Sequence, residues 1–575
     1  MITKNWRTSE RKYDVVVDRD VSIRMSDGLI IDCDIFRPHA SGKFPGILGT
    51  HPYEKSWQSS PAMPRGMTER NASVEAGDSY FYARRGYAHV IANVRGTGKS
   101  EGQYTNYSPQ EVQDTYEIIE WIASQPWCSG DVGMFGVSSF AVTQLQVAVL
   151  NPPHLKALFA PFGYTDFYGD KYYHGGIFAH GFVCGWANRT FQRRVDNRTP
   201  WSSWTREKLG DEKFKKAIAE ALQDREIFAQ PSIVEALSNP QKDASPLIVD
   251  VVLNKLDGEY WQERAVKHEK IRTPTYLGGC WGIYGLHLPG AFRGWEKISA
   301  PKKMTIGPPI YLDRPVYQYQ YESLRWFDHW LKGIDNEIME EPPIRLFVMG
   351  TGEWKATNEW PLPETHWTPF YLHANGLLSE HEFWPNEGNS SFEDNPFNLR
   401  GGLKFLSPPL VENTEVIGPI KLTLYASTTD DEVLWFISLL DVSPEGEERL
   451  LTRGWLRGSQ REVDPNKSKP WEPVHPHTKR DPLKPGEIYE FNINVVPTGN
   501  LFKAGHRIVL KISCVDDEKP KNFLEAIAQG HLWRQTPSWI TVYHDADHPS
   551  CLLLPITKGN IIGTYMSGGN ITINV

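Results

Sequence analysis

Apolar and polar residues alternate along Tyr13–Met25 and again along Leu29–Phe36, and the intervening Ser26-Asp27-Gly28 has turn chemistry, so two paired strands are predicted to open the chain. A short apolar strand follows at Phe44–Gly49. The period then lengthens. Ser79–Arg85 reads as helix, His89–Val94 as strand, and Ser108–Ser124 sets Val112, Tyr116, Ile119 and Ile122 on one helical face. Val132–Val137 is a continuous apolar run suited to a buried strand, Ser139–Leu150 an almost wholly apolar helix, and Ala157–Pro161 the next strand. Such alternation predicts a mainly parallel sheet covered on both faces.

That rhythm stops near Tyr164. Through about Lys270 the chain is Trp-rich and charged, with helical stretches at Arg206–Leu222 and Pro231–Ala236, and reads as an inserted helical cap. Strands return at Thr275–Gly279 and Lys303–Ile306, and Gln318–Lys332 lines up Tyr321, Leu324, Phe327 and Leu331 on a helix that closes the sheet. From Ile344 onward only short alternating runs remain: Ile420–Ala426, Glu432–Leu440, Ile488–Val495, Arg507–Val515 and Ser538–His544. Pro, Gly, Asn and Asp separate them, which predicts a β-sandwich. The expected organisation is an α/β domain at residues 1–163 and 271–343, a helical cap at 164–270, and a β-sandwich at 344–575. A chain of 575 residues needs such a division, because a single core stops growing near ~250–300 residues.

Charge narrows the partners. Sixty-one basic and 70 acidic residues leave a net charge of -9 with no long basic run, so nucleic acid is not an expected partner. No apolar stretch approaches the ~18–20 residues that span a bilayer, and the polar Thr8–Asp14 follows the start where a signal peptide needs an apolar core. No membrane partner and a cytoplasmic location are expected. The six cysteines, Cys33, Cys128, Cys184, Cys280, Cys514 and Cys551, have no short-spaced pairs and fit free thiols in a reducing compartment. Twenty-one Trp, 24 Tyr and 25 Phe supply pockets and interfaces, and a wide aromatic surface on the sandwich is compatible with a homodimer. No cofactor or metal motif is present. His475-Pro476-His477 reads as a solvent-exposed loop, and the glycines between His174 and His180 argue against a regular metal-binding helix.

The sharpest chemical signal is Gly133-Met134-Phe135-Gly136-Val137-Ser138-Ser139-Phe140-Ala141. A nucleophile elbow needs small residues around its serine because the strand-to-helix turn is strained, and Gly136 and Ala141 meet that need. Ser138 then stands at a helix N-terminus, where free N–H groups favour developing negative charge. The plainer reading is a serine that only N-caps the helix.

Ordered blocks through nearly the whole chain carry a resemblance: Met25-Ser26-Asp27-Gly28 with Phe36-Arg37-Pro38, His51-Pro52-Tyr53-Glu54-Lys55, Asn93–Gly102, Gln125-Pro126-Trp127-Cys128, the elbow, Trp330–Asp335 and Gly505-His506-Arg507-Ile508. The chain resembles the cocaine-esterase and X-prolyl dipeptidyl peptidase type (CocE/NonD) of α/β hydrolases. The resemblance implies an α/β-hydrolase domain, an inserted helical cap and a C-terminal jelly roll. It also implies Ser138 as nucleophile, with the Tyr53 hydroxyl and the Ser139 N–H as oxyanion donors. Where the family places its triad acid, this chain has Gly279-Cys280-Trp281-Gly282-Ile283-Tyr284, with Gly282 near the expected position. Where the family histidine follows a Gly-Pro segment, the text is Gly307-Pro308-Pro309-Ile310-Tyr311, with Tyr311 or Pro309 in its place. The ordinary triad is therefore expected to be degenerate.

A serine hydroxyl needs an adjacent base. His287, in the loop with the missing acid, is the candidate for a displaced base. Asp313 and His51 are weaker alternatives, with plain structural roles the simpler reading for each. The substrate pocket is expected to draw on His51, Tyr172, Tyr173, Phe178, Trp186, Trp281, Tyr284 and Tyr311. Three functions stay open. The first is ester, thioester or amide hydrolysis, or acyl transfer, on a small, largely apolar carbonyl compound through Ser138. The second is a lyase, isomerase or cyclase reaction that uses the oxyanion hole without the triad. The third is a ligand-binding pseudoenzyme.

Overall fold

The computed structural model describes residues 6–52, 55, 75–187, 203–239, 247–283, 285–309, 315–382, 387–398, 401–516 and 530–559. Its first sheet has ten strands in the order β1-β2-β4-β3-β5-β6-β9-β10-β11-β12. These are β1 (Val15–Arg24), β2 (Ile30–Pro38), β3 (Phe44–His51), β4 (Ala88–Asn93), β5 (Cys128–Phe135), β6 (Leu155–Pro161), β9 (Thr275–Cys280), β10 (Lys302–Gly307), β11 (Ile344–Val348) and β12 (Glu353–Thr357). From β4 to β11 every neighbouring pair is parallel, while β1, β2 and β12 add antiparallel edges. The parallel strands are buried, as their apolar runs require. The sheet does not close at the helix Gln318–Lys332 as expected. β11 pairs with β10 and β12 with β11, so two strands that follow residue 343 join the first sheet.

Helices α1 (Ser79–Ala83), α2 (Pro109–Ser124) and α3 (Ser139–Ala148) cover the sheet's first half. Every residue of α3 is buried, so its polar members must find partners inside. Gln144 donates to Gly136 O at 3.1 Å, and Gln146 to Tyr107 O and Arg264 O at 3.2 and 2.8 Å. The polar side chains of α3 thus tie the elbow to the segments around it.

The cap holds a small hairpin, β7 (Tyr173–His174) with β8 (Ile177–Phe178), between π-helical turns at Phe167–Tyr172 and Gly181–Ala187. Its α-helices are α4 (Trp204–Leu209), α5 (Asp211–Ala221), α6 (Arg225–Phe228), α7 (Pro231–Ser238), α8 (Leu247–Leu253) and α9 (Glu259–Gln262). The single helix predicted over Arg206–Leu222 is two, because Gly210 adopts φ +76° and breaks it. The later helices α10 (Pro289–Lys297) and α11 (Pro315–Lys332) return to the sheet, and Phe327 of α11 lies where a Cβ on Gly133 would stand, 2.7 Å from its ring.

Among the described residues the C-terminal domain is an eleven-stranded sheet that curls on itself. Its strand Cys551–Lys558 pairs with His366–His373 and also with Thr414–Thr428. A buried ionic cluster fastens the cap to it: Arg457 reaches Glu226 of α6 at 2.6 Å and Glu432 at 3.1 Å, and Arg534 reaches Glu226 at 3.0 Å. The hairpin loop completes the seam, with Arg457 N–H donating to Gly175 O at 2.8 Å.

Candidate active site at the β5–α3 elbow

Ser138 occupies the turn from β5 into α3 with φ 57° and ψ -120°, a conformation that residues with a Cβ avoid. The residues before it make the turn tight. Gly136 has φ +145°, and a Cβ there would stand 2.3 Å from Phe140 Cβ. Val137 N–H donates to Glu75 O at 3.0 Å, holding the approach. The Ser138 side chain makes no capping bond to α3. Its Oγ instead lies 3.1 Å from Nε2 of His287.

His287 comes from the loop between β9 and α10. The loop makes one helical turn, with His287 N–H donating to Ile283 O at 3.1 Å. It then threads a narrow passage. A Cβ on Gly285 would stand 3.1 Å from His174 and 3.2 Å from Trp455, and one on Gly290 would stand 2.1 Å from Gly163 O. These glycines let the loop press against the cap and the C-terminal domain, which sets where His287 points. The ring is 3% exposed, flanked by Phe162 at 6.0 Å and Tyr164 at 6.1 Å. Burial, and then the nearby Lys171 charge, hold its pKa down to about 3, with Asp170 opposing.

The two segments where the family pattern sets its acid and base lie against each other. A Cβ on Gly282 would come within 3.0 Å of both Cα and Cβ of Pro309. A side chain at position 282 would meet that proline. Tyr311, Tyr53, Tyr284 and Asp313 lie outside the described residues, as does the Trp186 side chain.

Beyond Ser138, a chain of hydroxyls runs into the cap. Tyr107 Oη donates to Ser139 Oγ at 2.6 Å, Tyr164 Oη to Tyr107 Oη at 2.9 Å, and Lys171 Nζ to Tyr164 Oη at 3.1 Å. Sequence reasoning missed these three residues. The available signal was a pair of charges, Asp170 and Lys171, inside the aromatic run Phe167–Tyr173. Asp170 is accounted for by Arg293, which reaches its two oxygens at 2.9 and 2.7 Å.

The expected pocket residues divide. Tyr172 sets its ring 4.8 Å from Lys171 Nζ and donates to Asn106 Oδ1 at 3.3 Å. Tyr173 and Phe178 stack on each other at 5.1 Å, and Tyr173 donates to Val251 O at 2.9 Å; they build the cap interior. His51 is fully buried and stacks on Phe140 at 4.4 Å. Trp281 was expected in the pocket. It instead seals the seam with the C-terminal domain, since its Nε1–H donates to Phe347 O at 2.6 Å and its ring lies where a Cβ on Gly499 would stand. His174 belongs to the same seam: its Nδ1 lies 2.7 Å from His531 Nε2, and His531 Nδ1 lies 3.0 Å from Asp516. His475 and His477 are not on an open loop. The first holds Glu462 O and Asn492 O at 2.8 and 2.7 Å, and the second Gln460 Oε1 at 2.8 Å. No metal-binding group of His, Cys, Asp and Glu occurs among the described residues, and none of their helices is long and apolar enough to cross a membrane.

Comparison with known proteins agrees with this architecture. The model for X-Pro dipeptidyl-peptidase (S15 family) matches residues 27–310, and that for the X-Pro dipeptidyl-peptidase C-terminal non-catalytic domain matches residues 336–553. Cocaine esterase of Rhodococcus sp. (strain MB1 Bresler) is 26% identical over 94% of this chain and 99% of its own length. A putative Xaa-Pro dipeptidyl-peptidase of Bacillus anthracis is 22% identical over 76% of this chain and 70% of its own. Among solved structures, a CocE/NonD family hydrolase from Staphylococcus aureus superposes with a TM-score of 0.77 at 25% identity, covering 95% of this chain and 94% of that one.

Proposed function

The chain belongs to the CocE/NonD and X-Pro dipeptidyl-peptidase family of hydrolases, and from that premise we propose that it cleaves or transfers the acyl group of a small, largely apolar ester, thioester or amide through Ser138 with His287 as a displaced base. The observation that carries this reading is the 3.1 Å contact between Ser138 Oγ and His287 Nε2 at a strained elbow. Ser138 Oγ attacks the carbonyl carbon while its proton passes to His287 Nε2. The charge that develops on the carbonyl oxygen meets the N–H groups at the start of α3, of which Ser139 N–H is the nearest in sequence. Tyr53 is the second donor in this reading, by its match to the family block. Collapse of the tetrahedral intermediate releases the leaving group, and water repeats the attack on the acyl-enzyme. The six cysteines form no disulfide, which fits a reducing compartment such as the cytoplasm.

Intact-mass labelling with a small fluorophosphonate tests the assignment. The native protein is expected to take one adduct, Ser138→Ala none, and His287→Ala to react slower by about 10²-fold or more. Equal labelling of His287→Ala would remove His287 as the base. A folded native protein that takes no label would remove the covalent mechanism and leave the non-hydrolytic carbonyl chemistries.

A further inference from the structure

The seam between the cap hairpin and the C-terminal domain holds two histidines that the Ser138–His287 step does not use. His174 Nδ1 lies 2.7 Å from His531 Nε2, and His174 Nε2 lies 3.1 Å from Asp170 O. On the far side, His531 Nδ1 lies 3.0 Å from both oxygens of Asp516, and the His531 backbone N–H donates to Asp516 Oδ2 at 2.8 Å. Both rings are buried, with His174 stacked on Trp455 at 4.8 Å and His531 tilted against it at 5.4 Å. These contacts fix the number of protons. A backbone carbonyl only accepts, so His174 Nε2 carries a hydrogen, and a neutral His174 then presents a lone pair at Nδ1. His531 Nε2 must donate to it. A neutral His531 has one N–H and cannot donate to His174 and to the Asp516 carboxylate at once. The row from Asp516 to Asp170 O is therefore satisfied only with one extra proton, which makes His531 an imidazolium, and the carboxylate beside it offsets the cost of burying that charge. The groups that face the pair agree. Burial first and the neighbouring His531 second hold the His174 pKa down to about 4, so His174 does not carry the charge. His180, whose ring meets the His531 backbone, is held at about 4 by burial first, and Arg293 holds the Asp170 carboxylate.

We propose that this extra proton clasps the cap to the C-terminal domain and thereby positions the loop that carries His287. The proposal rests on Ser138 and His287 as nucleophile and base. A Cβ on Gly285 would stand 3.1 Å from His174 and 3.2 Å from Trp455, so these two rings form the wall against which the loop lies, two residues before the base. When the proton leaves, His531 turns a lone pair toward the lone pair of His174. Either that contact breaks, or His174 moves its hydrogen to Nδ1 and loses Asp170 O. In both cases the ring that backs Gly285 gives up one of the two bonds that orient it. His174, His531 and Asp516 act through the loop and are positioning residues. The competent form is the protonated one, so reactivity is present at neutral pH and falls as pH rises.

The rate of labelling by a small fluorophosphonate, followed by intact mass from pH 7 to pH 10, tests the clasp. The native protein is expected to slow by about tenfold as pH rises, the effect of one lost buried hydrogen bond. His287, with its pKa at about 3, is neutral across that range and supplies no such fall. Asp516→Asn makes the extra proton unnecessary, because the amide donates to Nδ1 of a neutral His531 and leaves its Nε2–H for His174. Its labelling rate is expected to stay level within about twofold over the same range, whereas a merely structural Asp516 would change the rate and leave the fall in place. His531→Phe, which keeps a ring at the seam without its hydrogen bonds, is expected to label slowly at every pH. Thermal unfolding verifies that each variant is folded at each pH. A native rate that stays level to pH 10, or a fall that persists in Asp516→Asn, overturns the clasp while Ser138 and His287 stand. A native protein that takes no label, or one that His287→Ala matches in rate, overturns the base and the clasp together.

Discussion

His287, the base of the proposed mechanism, stands where it is reluctant to hold a proton. Its pKa of about 3, against the ordinary 6.5, follows from burial first and Lys171 second. A general base works in its neutral form, so a lowered pKa extends the working range toward acid. For an uncharged ester, kcat/KM is expected to stay level within about twofold from pH 7 to pH 5. An ordinary imidazole would lose about 25-fold over that range. A pH–rate profile decides it, and an acid limb near 6.5 would contradict the assignment. At this scale the sequence was informative where chemistry is local. The elbow at Ser138 was legible from Gly136 and Ala141 around it, and His287, which the structure sets beside it, stood among the candidates because of its loop. Lys171 was not, because nothing in the text between Phe167 and Tyr173 says that its amine meets Tyr164 and, through it, Tyr107.

At the scale of elements, the cap hairpin is the piece whose sequence looks most ordinary and whose placement is most demanding. Gly175 has φ +53°, and a Cβ there would stand 2.0 Å from Trp455 O, against backbone that cannot swing aside. Gly175→Ala is therefore expected to cost about 1–3 kcal/mol through left-handed strain and overpacking, and to loosen the hairpin from the strand Glu448–Arg457. A lowered thermal midpoint with reduced kcat/KM would follow, since Trp455 also borders Gly285 in the loop of His287. An unchanged midpoint would show that the seam yields freely. The alternation of strand and helix was readable because each element carries its own period. The break at Gly210 and the added strands β11 and β12 were not, since a glycine inside a helical pattern is ambiguous and edge strands look alike in either domain.

At the scale of the whole molecule, buried histidines make folding sensitive to acid. His89, His268, His287 and His477 are each pushed down to about 3, with burial the leading cause in every case. Below pH 6.5 the unfolded chain binds protons at these sites that the native protein refuses until about pH 3. Their contribution to stability is therefore complete above 6.5 and is lost as pH falls, at about 1.4 kcal/mol per site and pH unit. Calorimetry at pH 7, 6, 5 and 4 is expected to show a midpoint that falls progressively faster below pH 6. A midpoint that holds through pH 4 would mean that these rings accept protons without unfolding.

What the sequence alone determined is the content of local patterns: an α/β domain interrupted by a cap and followed by a β domain, and a serine at a strand-to-helix elbow. Period, turn chemistry and short spacings survive in one dimension because neighbouring residues create them. The tertiary structure alone decided which distant groups meet. It set Pro309 into the space beside Gly282, turned Trp281 toward Gly499, brought His287 within 3.1 Å of Ser138, and joined Lys171 to Ser139 through two tyrosines. Those contacts join segments far apart in the chain, and close packing, rather than any local preference, selects them.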